Sequence, residues 1–581
     1  MKSAIAILTS IFFMTAIFAQ TIEEAPAVET QAPDNGFLEK QAMDALFQNL
    51  IAEQVPGAEA SAIDIYLDED DWKRLGELHE GVPTLGLSKD LGIQVALGGA
   101  YALRSKKPFD TGFGTVQSVG DKMVWTAMVY AEDASGMRLH FKDFNLPEGA
   151  RVYFYSDLGQ AFGPYTGLGP NGKGTFWSDT LFASTGWVQM EVDRGVDPET
   201  LSFNIAQLAY FGEGFKLGRE FIDQKHGKYC PGSGGLTSCF ENARCYDSST
   251  VVSNLMDAVA WILYQSDSDG SWYGCSGGLI NGSGATSNYP YFLTAAHCVN
   301  SSTEVDSMEA YFDFATSSCT SLTSGCSSAW NNTHKVSGGS LQATGGNSLS
   351  DYSLIKLPNF PSGSYTKLGW TSADHSDNDG ETLYRVSHPN HYPAAYSEHE
   401  VDTSVSACYS NSRPTYIYTY HTLGYTEGGS SGSPLVTSAS RIVGKDKGRC
   451  ADQTCNDTLA MRDGSFRTAY FDKLRPFLKP TDIHVENIVV SQQNLGGLYV
   501  PSAQVQVLDN ADVPVSGALV QVMFTNTIGT IGIGVTGSDG WATVSGFPAP
   551  FGGTWNACTQ AITHPWLTWD PSEDVESCDT N

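Results

Sequence analysis

The sequence predicts a mainly β chain of several modules, and three observations carry that expectation. The chain has 581 residues, several times the roughly 150 residues typical of one domain. It holds 60 glycines, while charged residues make up only 17 %, a composition of turn-rich folded proteins rather than of disorder or long helical bundles. Short β-type runs bounded by Gly and Pro recur along it. A formal charge of −31 argues against nucleic acid or an anionic membrane surface as partner.

The elements follow in chain order. Lys2 precedes an apolar run from Ala4 to Ala19, and Ile17-Phe18-Ala19 before Gln20 has the form of a signal-peptidase site, so residues 1–19 read as an export signal. No later run approaches the roughly 20 apolar residues of a spanning helix. The expected location is extracellular, where the twelve cysteines pair as disulfides. Neither C-x-x-C nor H-E-x-x-H occurs, and His388-Pro389-Asn390-His391 lacks further ligands, so no metal is expected.

Residues 20–62 read as a linker, rich in Glu, Ala and Pro from Ile22 to Asn35, and a short amphipathic stretch around Leu38 to Leu50. Residues 63–215 carry β runs at Lys122 to Tyr130, Arg138 to Phe144, Arg151 to Tyr155, Trp187 to Val192 and Leu201 to Tyr210, the pattern of a β-sandwich. A second linker, 216–237, contains Lys225, Lys228 and Pro231-Gly232-Ser233-Gly234-Gly235 and is a natural place for proteolytic cutting. Residues 238–480 alternate β runs with Ser/Gly loops and hold most of the cysteines. In 481–581, strands at Ala503 to Leu508 and Ala518 to Phe524 flank an Asp512-to-Gly517 turn, suggesting a small immunoglobulin-like sandwich. Cys558 and Cys578 are placed to staple it.

Three segments of 238–480 carry candidate chemistry. Thr294-Ala295-Ala296-His297-Cys298 puts a histidine where an apolar strand ends, Asp351 heads the apolar run Tyr352 to Leu357, and Gly429-Ser430-Ser431-Gly432-Ser433-Pro434 puts a serine in a glycine-flanked loop. A serine hydroxyl is a poor nucleophile near neutral pH, so it needs a base in reach and a third group to hold that base in one tautomer. His297 and Asp351 are the candidates for base and orienter, and Ser431 for nucleophile. A tight loop lets the amides of Gly429 and Ser431 converge on a developing oxyanion.

These motifs resemble those of chymotrypsin-fold serine proteases, and specifically bacterial lysyl endopeptidases. The resemblance implies a two-barrel catalytic domain over residues 238–480, secretion as a zymogen, peptide or protein substrates, cleavage after Lys or Arg, and no cofactor. It also implies disulfides Cys239 with Cys450, Cys245 with Cys319 and Cys275 with Cys298, and a specificity pocket with Asp463 as its acid and Gly448 in its wall. The Leu139-His140-Phe141 strand and Gly174-Thr175-Phe176-Trp177-Ser178 resemble the long pro-segment of such precursors. The tail is similar to appended modules of secreted hydrolases, candidates for binding a surface or another protein.

The chain departs from trypsin at two positions: Ser430 stands where an aspartate receives the new N-terminus, and Tyr425 where an aspartate binds basic side chains. Cys230, Cys326, Cys408 and Cys455 have no assigned counterpart. An α/β-hydrolase would need its histidine after the serine, and only His484 and His564 follow Ser431, both in the tail. The rival reading is a catalytically inactive, protease-like binding or adhesion protein, which usually loses a triad member; here all three positions are present. The acidic turns at Ser266 to Gly270 and Asp377 to Glu381 do not complete a calcium loop.

Overall fold

The computed structural model describes residues 22–30, 36–75, 77–79, 82–97, 108–212, 239–322, 329, 333–450, 460–510, 512–526, 529–550, 552–565 and 567–581. The expected export signal, the second linker with Lys225 and Lys228, and Cys230, Cys326 and Cys455 lie outside the described residues. The protein is mostly β, as the sequence predicts. No described helix is long and apolar enough to cross a membrane.

The expected strands of the N-terminal region form as Lys122–Ala131, Gly136–Lys142, Ala150–Ser156, Thr185–Val192 and Ser202–Phe211. One sheet runs Ala161–Tyr165, Ala150–Ser156, Thr185–Val192, Lys122–Ala131, Thr115–Val119. A second runs Phe176–Trp177, Gly136–Lys142, Ser202–Phe211, Gly86–Ala96. Alternation along the strands sends Trp125, Ala127 and Val129 of the first and Leu139, Phe141, Phe203 and Ile205 of the second into one core. The amphipathic stretch forms the helix Gly36–Glu53, which lays Leu46, Phe47 and Leu50 on Tyr153, Tyr155 and Trp187.

The second of these sheets does not stop at the module boundary expected from the sequence. Gly86–Ala96 pairs antiparallel with Ser271–Leu279, Leu87 opposite Ser271 and Gly86 opposite Trp272. The sheet thereby continues into Val259–Gln265, Glu309–Phe312 and His334–Ser337, and through Tyr291–Ala295 to Tyr352–Lys356 and Ser340–Gly345. These later strands curl into a half-barrel around Ile262, Phe292, Phe312 and Ile355.

Beside it stands a closed barrel. Arg441–Arg449 pairs with Pro434–Val436, then Thr382–Ser387, Ala395–Val401, Tyr416–Leu423 and Met461–Ser465, which pairs back onto Arg441–Arg449. Leu383, Val401, Ile417, Leu435 and Val443 form an apolar cluster within it. The stretch expected as a plain linker is docked here: Glu24–Ala25 pairs with Trp370 and Thr371, and Val28–Thr30 with Tyr365 to Lys367. Its acidity is the reason, since Glu23 meets Arg475 at 2.9 Å and Glu24 meets Arg441 at 3.0 Å.

The tail forms two sheets of its own, one led by the long hairpin Asp482–Leu495 and Leu498–Asp509, the other by Leu519–Thr525, Gly529–Val535 and Asn556–Thr563. The hairpin turns at Gly496 and Gly497, with φ of 66° and 100°, the left-handed region open to glycine. Val485, Val505, Val520, Phe524 and Trp555 fill the space between the sheets, and Cys558 bonds Cys578.

Candidate active site

His297 leaves the end of the strand Tyr291–Ala295, and two features hold the turn that carries it. Cys298 is bonded to Cys275 on the neighbouring strand, and the amides of Ala296 and His297 donate to Asp351, at 3.1 Å to its carbonyl and 3.0 Å to Oδ1. His297 Nδ1 then lies 2.7 Å from Asp351 Oδ2. An ionised carboxylate has no proton to give, so Nδ1 carries the hydrogen, and in the neutral ring Nε2 keeps its lone pair.

Asp351 is 2 % exposed. Burial alone would raise its carboxyl, but the charge and hydrogen bond of His297, then Lys445 and Lys447, outweigh it and hold the group well below the carboxylate range. Ser350 and Asp351 have φ of 72° and 57°, a left-handed pair of non-glycine residues that something must secure. Lys445 Nζ donates to Ser350 O at 2.6 Å, and Lys447 Nζ lies 3.6 Å from Asp351 Oδ2. Burial lowers the Lys445 ammonium to about 8, against the pull of Asp351. The structure places these lysines behind the aspartate as its supports.

Ser431 lies in the loop before the strand Pro434–Val436, and its carbonyl accepts from Ser276 N at 2.8 Å. Glycine is required on both sides. Gly429 has φ 96° and a Cβ there would stand 2.7 Å from His388 O, while at Gly432, φ 83°, it would stand 2.3 Å from Thr294 Oγ1. Ser276 Oγ donates to Gly429 O at 2.8 Å, which fixes the peptide plane ahead of Ser430. Ser430 is fully buried and accepts from Ser387 Oγ at 3.0 Å, so the position that is an aspartate in trypsin is filled by a neutral hydroxyl pair.

His297, Ser431 and Gly448 line one cavity of about 410 Å³, together with Glu427, Asp446 and Met461. Asp463, expected as the pocket acid, is not in the lining. It is fully buried inside the closed barrel and engaged by Arg385, because the strand Met461–Ser465 pairs Asp463 with Ile417 on one side and so turns it inward. Lys445 is not in the lining and donates to Ser350, while Lys447 borders the cavity and turns its ammonium to Asp351. Besides Glu427, the acid that reaches the cavity is Asp446, a signal present in Lys445-Asp446-Lys447 but readable only with the register in hand.

Two implied disulfides form, Cys245 with Cys319 and Cys275 with Cys298. The third does not: Cys450 is bonded to Cys408, with Cα atoms 5.7 Å apart, and Cys239 is in a different disulfide. Cys408 and Cys450 meet because both pack with Tyr416, Tyr418 and Ala460 at one end of the closed barrel.

The comparisons agree with this segment. Residues 233–461 match the family model for the lysyl endopeptidase C-terminal domain. A lysyl endopeptidase of Pseudomonas aeruginosa is 24 % identical over 308 residues, which cover 52 % of this chain and 62 % of that protein; the chain thus spans under two thirds of its relative's length. Among solved structures, an active-form protease from M. tuberculosis is 13 % identical over 40 % of this chain and 85 % of that one, at a TM-score of 0.27. The HL collagenase is 17 % identical over 38 % and 93 %, at 0.28. Across residues 233–461 the protein is lysyl endopeptidase-like.

Proposed function

We propose that the protein is a secreted serine endopeptidase, exported by residues 1–19, that cleaves peptide bonds after lysine, with arginine as a second choice. The observation that carries the reading is the convergence of His297, held by Asp351, and Ser431 on one open cavity. In this reading His297 Nε2 takes the Ser431 proton as Oγ attacks the peptide carbonyl, and later gives it to the leaving amine; the carbon–nitrogen bond breaks and an acyl-enzyme remains. Water, activated by the same imidazole, releases the acyl group. Asp351 keeps the ring in the productive tautomer and stabilises the imidazolium, and the Gly429 and Ser431 amides receive the oxyanion.

The lysine preference rests on the family match rather than on Asp463. Fluorophosphonate labelling of the secreted protein tests the core of the proposal. Ser431 is expected to carry the label, and Ser431→Ala and His297→Ala are each expected to lower turnover by about 10⁴-fold or more. Hydrolysis at the wild-type rate by Ser431→Ala would end the reading.

A further inference from the structure

A lysine side chain entering a cavity must exchange its water for a fixed negative charge, and a carboxylate already paired with a protein cation cannot serve. Each acid near Ser431 can be followed to its partner. Asp351 is held by His297. Glu427 receives both Arg449 Nη atoms, at 2.8 and 2.9 Å. Asp463 is engaged by Arg385. Asp446 remains: it lines the cavity, is 2 % exposed, and its Oδ1 accepts from the Gly448 amide at 2.9 Å. Among the described residues it has no ion pair.

The barrel explains why that charge has no direct partner. Asp446 and Asp463 are cross-strand partners, so their side chains share a face; Arg385 is bonded to Asp463, and Lys445 acts on the two acids only through space. Of the lysines flanking Asp446, Lys445 reaches Ser350 and Lys447 reaches Asp351; Lys447 also borders the cavity, with its ammonium turned to Asp351. The two nearby imidazoles are no substitute, since burial holds His399 well below its ordinary range and His421 down to about 3. Burial, and the charge of Asp446, push the Asp463 carboxyl up against the pull of Arg385 and Lys445. The strand of Asp446 also runs along the nucleophile loop, with Gly432 N donating to Asp446 O and Asp446 N to Ser433 O, each at 2.9 Å.

We propose that Asp446 is the residue that receives the ammonium of the substrate lysine, with Thr426 and Met461 as the sleeve for its methylene stem. The inference rests on the endopeptidase reading and deepens it. Thr426 Oγ1 lies 3.6 Å from Met461 Sδ, both on the cavity wall, a surface suited to an aliphatic chain and poor for a second charge.

The test compares kcat/KM for peptides identical except for Lys, Arg, norleucine or Glu before the scissile bond, in wild type, Asp446→Asn and Asp446→Ala. Norleucine keeps the stem of lysine and lacks the ammonium. Wild type is expected to prefer Lys over norleucine, and both variants to lose about a hundredfold of that ratio while the norleucine rate changes little. A ratio unchanged in the variants, or absent in wild type, overturns the proposal. Fluorophosphonate labelling in parallel separates the two levels: a wild type that does not label refutes the endopeptidase reading itself. Should both variants misfold, wild type is assayed with n-pentylammonium against n-pentanol. Competitive inhibition by the amine alone is expected, and equal inhibition by the two overturns the assignment.

Discussion

The two regions flanking the site segment meet it in opposite ways. The N-terminal region shares a sheet with it, and Trp177, Phe182 and Phe211 join Trp261, Leu263 and Trp272 in one apolar cluster. Trp177 and Trp272 meet edge to face at 4.9 Å. Below them Arg138 and Lys335 close on Glu309 at 3.8 and 2.8 Å, Lys335 also engaging Asp179. Burial would raise the Glu309 carboxyl, but those two cations outweigh it and hold it at about 2. The C-terminal region has a core drawn wholly from its own residues; side-chain links to the site segment include Tyr289 Oη donating to Pro514 O at 2.9 Å and the charge of Asp509 acting on Lys356. One neighbour is built as interior and the other as attachment, although both read as separate β modules in the sequence.

The largest expected difference comes from deletion. Removing residues 22–212 strips one side of an apolar core and strands Glu309, so soluble, Ser431-labelling protein is expected to be lost, whereas removing 482–581 is expected to leave labelling and peptide turnover intact. Soluble yield and labelling of the two truncations decide it, and equal behaviour would break the contrast.

A cut within 213–238, where the sequence places Lys225 and Lys228, is expected to leave two chains that co-elute on size exclusion and separate only in denaturant. An active 239–581 fragment eluting alone would show the region to be a dissociable pro-segment.

Single substitutions sharpen the same point. Glu309→Gln leaves Arg138 and Lys335 facing a neutral group in a buried site and is expected to cost about 3–5 kcal/mol. Tyr289→Phe removes one hydrogen bond and is expected to cost about 1 kcal/mol. Denaturant midpoints read both.

Acid supplies the smallest and most graded effect. Burial lowers His140 and His388 to about 4 and His391 to about 3 from 6.5. A histidine held neutral stabilises the fold fully above its unfolded pKa, and that stability is lost as pH falls from 6.5 towards 3. In the C-terminal region burial also lowers His564, against a hydrogen bond with the Ser516 backbone. Thermal scans are therefore expected to show the fused body losing stability from pH 6.5 downwards before the tail does. His391→Gln, which keeps an acceptor for Trp261 Nε1, 3.1 Å from His391 Nδ1, is expected to flatten part of that slope.

What was legible in the sequence and what was not divides along a physical line. The turn at His297 and the left-handed glycines at 429 and 432 are local demands, and a short motif carries them whole; the Cys275–Cys298 clamp was implied by the family resemblance. The tail's Cys558–Cys578 staple was equally open to view, since both cysteines fall in one small module. The position of an acid within a barrel is not local. Asp463 and Asp446 look alike in sequence, and only the pairing of Met461–Ser465 with both Tyr416–Leu423 and Arg441–Arg449 sets them opposite each other on one face, Asp463 bonded to Arg385 and Asp446 bordering the cavity. The Cys408–Cys450 bond and the sheet shared through Gly86–Ala96 depend on long-range register in the same way.

The short strand Glu24–Ala25 covers the outer side of Gly369–Thr371, which would otherwise present unpaired amides and carbonyls at a sheet margin. Glu23 and Arg475 are 452 positions apart along the chain, so the ion pair that fastens this strand cannot form until nearly the whole site segment exists. During synthesis the margin stays open longest, and a chain stalled before Arg475 offers it to any other strand in reach. The strand Glu24–Ala25 thus acts late, sealing against self-association a barrel it precedes by more than three hundred positions.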